Sequence, residues 1–254
     1  MKINLDDFDN DSSAIIEPWF IAEPITGFPE VAVTSFSNGN ISALASFEGV
    51  EQLSEFGAGH PIYGIKYCDV SVAFYESRVG APSCVLDMEK AISKGVRTVV
   101  AFGSCGVLDK EIADGHFIIP VSAIRDEGTS YHYAPASHDI DMDTRSVDVL
   151  TATMDKMGYS WLKGKTWTTD APFRETVAKT TLRKSQGCIS VEMECSALLA
   201  VAKFRGIRFA QFLYAADNLD APNWDPRNLF SRHLSQREKY ILVALEAAIS
   251  LHKT

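Results

Sequence analysis

The stretch that most constrains the fold is Arg97–Phe102, RTVVAF, which shows no alternation of apolar and polar residues and runs straight into Gly103-Ser104-Cys105-Gly106. A strand without a polar face is buried on both sides, which favours a parallel sheet covered by helices. Further strands read from the sequence are Glu30–Thr34, Val70–Phe74, His116–Ile124, Trp161–Thr168, Cys188–Val191 and Phe209–Ala215. Helices are expected from Pro82 to Lys94, where Gly95 stops the run, from Glu194 to Phe204, and from Ser235 to His252. The alternation predicts an α/β fold. It is read as a single domain over residues 1–254, with a central mixed, largely parallel β-sheet flanked by helices and residues 1–13 as a polar tail. Ligands in such folds gather at the carboxyl ends of strands.

Bulk properties narrow the function classes. The 254 residues suffice for a sizeable core. A net charge of −9 argues against nucleic acid, whose phosphates require a basic face. The acidic start MKINLDDFDNDSS has no apolar run after Lys2, so no secretory signal is expected, and no stretch approaches the roughly 18 apolar residues of a membrane helix. The five cysteines are widely spaced without a CxxC pair, which points to reduced thiols and a cytoplasmic location. The six histidines show no ligand spacing, so neither a metal nor another cofactor is expected.

Chemistry concentrates in Ser190–Gly206, SVEMECSALLAVAKFRG. Glu192 and Glu194 flank Met193 where an apolar strand gives way to a helical pattern. Two carboxylates there can grip vicinal hydroxyls above a soft apolar thioether, which suits a ribosyl group. The same spacing also fits first-turn acids favoured by the helix dipole, with Met193 in the core. Gly103–Gly106 reads as a turn that either offers backbone N–H groups to an anion or merely permits a tight bend. Gly158–Thr166, GYSWLKGKT, is not a phosphate loop: its glycines are separated by five residues and its strand follows the lysine.

Four blocks occur in an order that resembles the nucleoside phosphorylase family, the purine nucleoside and uridine phosphorylases and their nucleosidase relatives. They are Val99–Leu108 (VVAFGSCGVL), Arg125–Pro135 (RDEGTSYHYAP), Thr168–Thr176 (TTDAPFRET), and Ser190–Gly206 with the strand closing on Asp217. The resemblance spans roughly residues 66 to 250.

It implies that Glu194 holds the ribose hydroxyls, Met193 packs beneath the sugar and Glu192 supports the base end. Ser104, Cys105 and Gly106 would contact ribose or phosphate, and Phe173 and Arg174 the base. Asp217 would serve as general acid to a leaving purine, at a position where uridine enzymes typically carry Asn. Phosphate would be co-substrate, and the assembly a dimer or a hexamer built as a trimer of dimers.

The family's phosphate-binding arginines are missing here. The early loop reads Thr34-Ser35-Phe36-Ser37, the position before the central glycines is Ala101, and no arginine precedes Arg78. Arg78, with Gly103 and Ser104, is therefore the candidate anion site. Phosphorolysis of a ribonucleoside, purine favoured over uridine, is the first expectation. Hydrolysis of the same bond and non-catalytic nucleoside binding remain the alternatives.

Overall fold

The structure, a computed structural model, describes residue 5 and residues 7–36, 39–57, 59–221 and 223–254. Residues 1–4 and 6 of the expected polar tail, and Ser37 and Asn38 of the early loop, lie outside the described residues. The strands are β1 (Val31–Ser35), β2 (Glu51–Glu55), β3 (Pro61–Tyr67), β4 (Val70–Glu76), β5 (Thr98–Val107), β6 (Phe117–Asp126), β7 (Asp139–Asp141), β8 (Trp161–Thr169), β9 (Cys188–Glu192) and β10 (Arg208–Asn218). The helices are α1 (Asn40–Ala43), α2 (Ala81–Lys94), α3 (Thr144–Lys156), α4 (Val177–Ser185), α5 (Cys195–Arg205) and α6 (Leu234–His252). No described helix is long and apolar enough to cross a membrane.

The α/β class holds, whereas the largely parallel sheet is corrected. β1 is parallel to both β4 and β5, and β5 is parallel to β10, but five of the described pairings are antiparallel. The strands β5, β10, β6, β8 and β9 pair in a closed ring, because β10 bonds β5 on one edge and β6 on the other while β9 returns to β5. A barrel thus grows out of one half of the sheet, and β2 to β4 extend from the other side of β1. Closing a ring leaves those five strands no free edge.

β5 is the hub. Every residue of it except Ser104 is buried, as its unbroken apolar character predicts. Phe102 stacks on Phe212 of β10 with ring centroids 5.4 Å apart, and Phe117 meets Phe212 edge-on at 5.6 Å. Helix α2 packs on α5, and α3 on α6. Burial of large side chains such as Phe74, Trp167 and Tyr240 contributes roughly 1.5–3 kcal/mol each.

The expected turn at Gly103–Gly106 is also corrected. β5 continues through it to Val107, paired with β10 from Leu213 to Asn218. The glycines serve close approach: a Cβ on Gly103 would sit 2.9 Å from Phe36, and one on Gly106 would sit 2.4 Å from Leu219 and 3.1 Å from Val191. Neither is in a left-handed conformation. The anion cradle of outward N–H groups inferred from sequence is therefore strand backbone.

Candidate active site

The sequence-predicted residues converge because three strands end at one place. Ser104, Cys105 and Gly106 lie near the end of β5, Glu192 closes β9, and Asp217 stands near the end of β10. The β5–β10 register slips between Ala215 and Asp217, a bulge that re-aims the side chain of Asp217 relative to the regular alternation. Met193 and Glu194 occupy the junction to α5. All seven line one cavity of about 630 Å³, within the usual size of small-molecule sites.

The two glutamates differ in what they already hold. Glu192 is saturated: its Oε1 accepts from Thr168 Oγ1 at 2.6 Å, and its Oε2 accepts from the backbone N–H of Glu194 and Cys195 at 2.8 and 2.7 Å. It thereby satisfies two backbone N–H groups at the start of α5, although neither glutamate lies in the helix's first turn. Glu194 accepts from Gly80 N–H at 2.8 Å and more weakly from Met193 N–H at 3.3 Å. Gly80 can place its N–H there because its φ of 95° is open to a residue without Cβ. Glu194 thus retains acceptor capacity towards the cavity. Burial pushes both carboxyls up, and for Glu194 the neighbouring charge of Glu192 adds to the effect. Thr168 also accepts from Ser196 N–H at 3.0 Å, and Glu127 accepts from Ser196 Oγ at 2.9 Å, so the start of α5 is fastened to the barrel.

Three sequence candidates sit apart from this group. Arg78 does not line the cavity; its Nη2 donates to Asp87 Oδ1 at 2.5 Å and its backbone N–H to Asp87 Oδ2 at 3.1 Å. Asp87 is fully buried, so this pairing neutralises a charge that has no other salt-bridging arginine or lysine among the described residues. Arg174 projects from the exposed turn Pro172–Arg174, and Gly103 lies behind Phe36. Phe173 is on the cavity wall but 99% exposed. No Lys, Arg or His lines the cavity among the described residues, and no described group of three or more His, Cys, Asp or Glu could hold a metal.

Sequence reading missed Glu175, Trp224, Leu229 and Phe230, which also line the cavity. Trp224 Nε1–H donates to Asp217 Oδ2 at 2.8 Å. The strap carrying Trp224 is tied to β10 by Asn218 and Asp225, which exchange backbone hydrogen bonds at 2.8 and 3.2 Å. No periodic pattern marks residues 219–230, so only the aromatic residues hinted at them. Glu175 lies within the TTDAPFRET block, next to the predicted base contacts Phe173 and Arg174.

The family model described as the phosphorylase superfamily matches residues 30–249. The chain belongs to this superfamily. Among similar proteins of this superfamily, the guanosine phosphorylase of Halorubrum lacusprofundi is 22% identical over 194 residues, covering 76% of this chain and 80% of that protein. A DeoD-type purine nucleoside phosphorylase of Bacillus cytotoxicus is 25% identical, covering 67% and 72% respectively. A similar fold is found in the purine nucleoside phosphorylase of Toxoplasma gondii in complex with immucillin-H, with a TM-score of 0.77 at 17% identity over 89% of this chain and 93% of that one. The uridine phosphorylase of Vibrio fischeri also gives 0.77, at 19% identity over 95% and 100%.

Proposed function

We propose that the protein is a nucleoside phosphorylase that cleaves the N-glycosidic bond of a ribonucleoside with phosphate, releasing free base and ribose 1-phosphate. Membership of the phosphorylase superfamily and the names of its relatives support this reaction. The observation that carries it to these residues is that Glu194 and Asp217 face one cavity of nucleoside size.

Glu194, anchored by Gly80, accepts from the ribose 2′- and 3′-hydroxyls, with Met193 beneath the sugar. Glu192 positions Glu194 by holding its backbone N–H. As the C1′–N bond stretches, positive charge develops on the ribose and negative charge on the base. Buried carboxylates near the sugar stabilise the first, and a carboxyl at Asp217 stabilises the second. Asp217 in place of Asn favours a purine. The wall of Phe36, Phe173, Trp224 and Phe230 provides apolar faces for a base.

Phosphate enters at Ser104 on β5. Arg78 is committed to Asp87, so the positive charge a dianion needs does not come from the described cavity wall. A homo-oligomer is supported by the exposed apolar residues at the mouth, with Val79, Trp224 and Phe230 at 55%, 56% and 81% exposure. A reducing, cytoplasmic location is consistent with five free cysteines.

Incubation with inosine, adenosine, guanosine and uridine, each with and without phosphate, tests the reading. Base release that requires phosphate and yields ribose 1-phosphate is expected. Release without phosphate would replace phosphorolysis with hydrolysis, and binding without release would remove the enzyme.

A further inference from the structure

Glu175 follows the turn Pro172–Arg174 and lines the same cavity as Asp217. It is half-buried, and its carboxylate has no hydrogen-bond partner among the described residues. Asp217, by contrast, already accepts from the Trp224 indole. The other titratable groups on this wall are Glu192 and Glu194 at the β9–α5 junction and Cys105 on β5, with no described cation to oppose them.

Where several carboxyls line one cavity without a cation, a carboxyl that lacks an N–H donor keeps its proton most readily. Burial, and then the negative charge of Asp217, push the Glu175 carboxyl up to about 7. That places its titration where a general acid working near neutrality needs it.

We propose that Glu175 shares the acid role with Asp217 at the base end of the cavity, as the carboxyl that delivers its proton to the leaving base. The inference rests on the nucleoside reading above. In the reaction the C1′–N bond breaks and its electron pair passes to the base, while a phosphate oxygen forms the new bond to C1′. The proton of Glu175 moves to a ring nitrogen of the departing base, which leaves neutral. Glu175 is left ionised and regains a proton from solvent at the open mouth. The chemistry selects substrates whose bases are poor leaving groups, since these gain most from a proton.

The test follows kcat/KM against pH for wild type, Glu175→Gln, Glu175→Ala and Glu175→Asp with inosine plus phosphate. In parallel, 7-methylguanosine carries a ring already positive and needs no proton to leave. Wild type should lose activity on inosine above about pH 7. Glu175→Gln and Glu175→Ala should be slower by about tenfold or more at pH 6 and show no such limb, whereas Glu175→Asp should keep it. All four should cleave 7-methylguanosine at similar rates. Infrared difference spectra of the free proteins supply a readout independent of turnover: the protonated-carboxyl absorption lost between pH 6 and pH 8.5, to which Glu192 and Glu194 also contribute, should be smaller in Glu175→Gln than in wild type. An active wild type whose inosine profile is unchanged in Glu175→Gln, or a carboxyl absorption change equal in the two proteins, overturns the role of Glu175 alone. A wild type that cleaves no nucleoside overturns the functional reading on which it stands.

Discussion

The indole N–H of Trp224 donates to Asp217 Oδ2 at 2.8 Å, so a residue of the exposed strap fixes the carboxylate at the end of β10. The bulge after Ala215 brings Asp217 to the cavity, and Trp224 sets its orientation. Trp224→Phe keeps an aromatic wall and removes the donor. A hydrogen bond to a charged group is worth roughly 1.5–3 kcal/mol, so kcat/KM for a purine nucleoside should fall by roughly 10- to 150-fold. Trp224 is 56% exposed, and the melting temperature should hardly move. An unchanged kcat/KM would make the contact incidental.

Glu194→Gln keeps the shape of the side chain and an acceptor for Gly80 N–H. It weakens a charge-assisted pair of hydrogen bonds to the ribose diol, again by roughly 1.5–3 kcal/mol. At least a tenfold loss in kcat/KM is expected on ribosides, with a much smaller loss on 2′,3′-dideoxynucleosides. Equal losses on both would remove Glu194 from the sugar.

Gly106→Ala tests close approach within β5. Its Cβ would meet Leu219 Cδ1 at 2.4 Å and Asp217 Oδ1 at 3.4 Å. Overpacking of this kind costs about 1–3 kcal/mol, read as a lower melting temperature. Adding Leu219→Ala should recover much of that stability. A Gly106→Ala protein as stable as wild type would show that Leu219 simply swings away.

Arg78→Ala distinguishes an ion-pair role from an anion-binding one. Removing the guanidinium strips the fully buried Asp87 of its salt bridge and should cost about 1–3 kcal/mol in thermal or denaturant unfolding. The KM for phosphate should stay within about twofold, because the side chain does not line the cavity. A KM raised severalfold without loss of stability would return Arg78 to the anion site.

Stability should fall as pH rises from about 5 to 8. Glu175, Glu192 and Glu194 are all raised above the ordinary carboxylate value of 4.5, Glu175 to about 7. Between those limits the folded chain binds more protons than the unfolded one, so each step up in pH favours unfolding. Asp126 and Asp139 work the other way: burial would raise them, but hydrogen bonds from Arg183 and Lys179 to Asp126, and from Lys165 and His138 to Asp139, outweigh it. Their contribution is lost only as pH falls below about 4. The melting temperature should therefore peak near pH 5, and Glu175→Gln should flatten the decline on the basic side. A melting temperature that rises from pH 5 to 8 would contradict the raised carboxyls.

Strands with strong local signals were legible in sequence to within a few residues. Val70–Phe74 became Val70–Glu76, and the helix stopped by Gly95 does end at Lys94. The polar helices α3 and α4 were not read. Thr144–Lys156 is rich in Thr, Asp and Ser, so its apolar stripe is faint, and the Asp143 carboxylate that accepts from Arg145 N–H at 2.9 Å starts it without a distinctive pattern. β7 is three residues long and takes its identity from pairing with β6 alone.

The amino-acid sequence by itself determined the α/β class and the family, and it named Glu192, Met193, Glu194, Ser104, Cys105, Gly106 and Asp217, because each lies in a short contiguous block. Only the tertiary structure decided that Gly103–Gly106 is strand, that Arg78 serves Asp87, and that Glu175 and Trp224 line one cavity with Asp217. The reason is physical. Local pattern records what one segment buries, whereas barrel closure, buried charge pairing and the meeting of carboxylates depend on segments distant in the chain, whose approach no single window of sequence encodes.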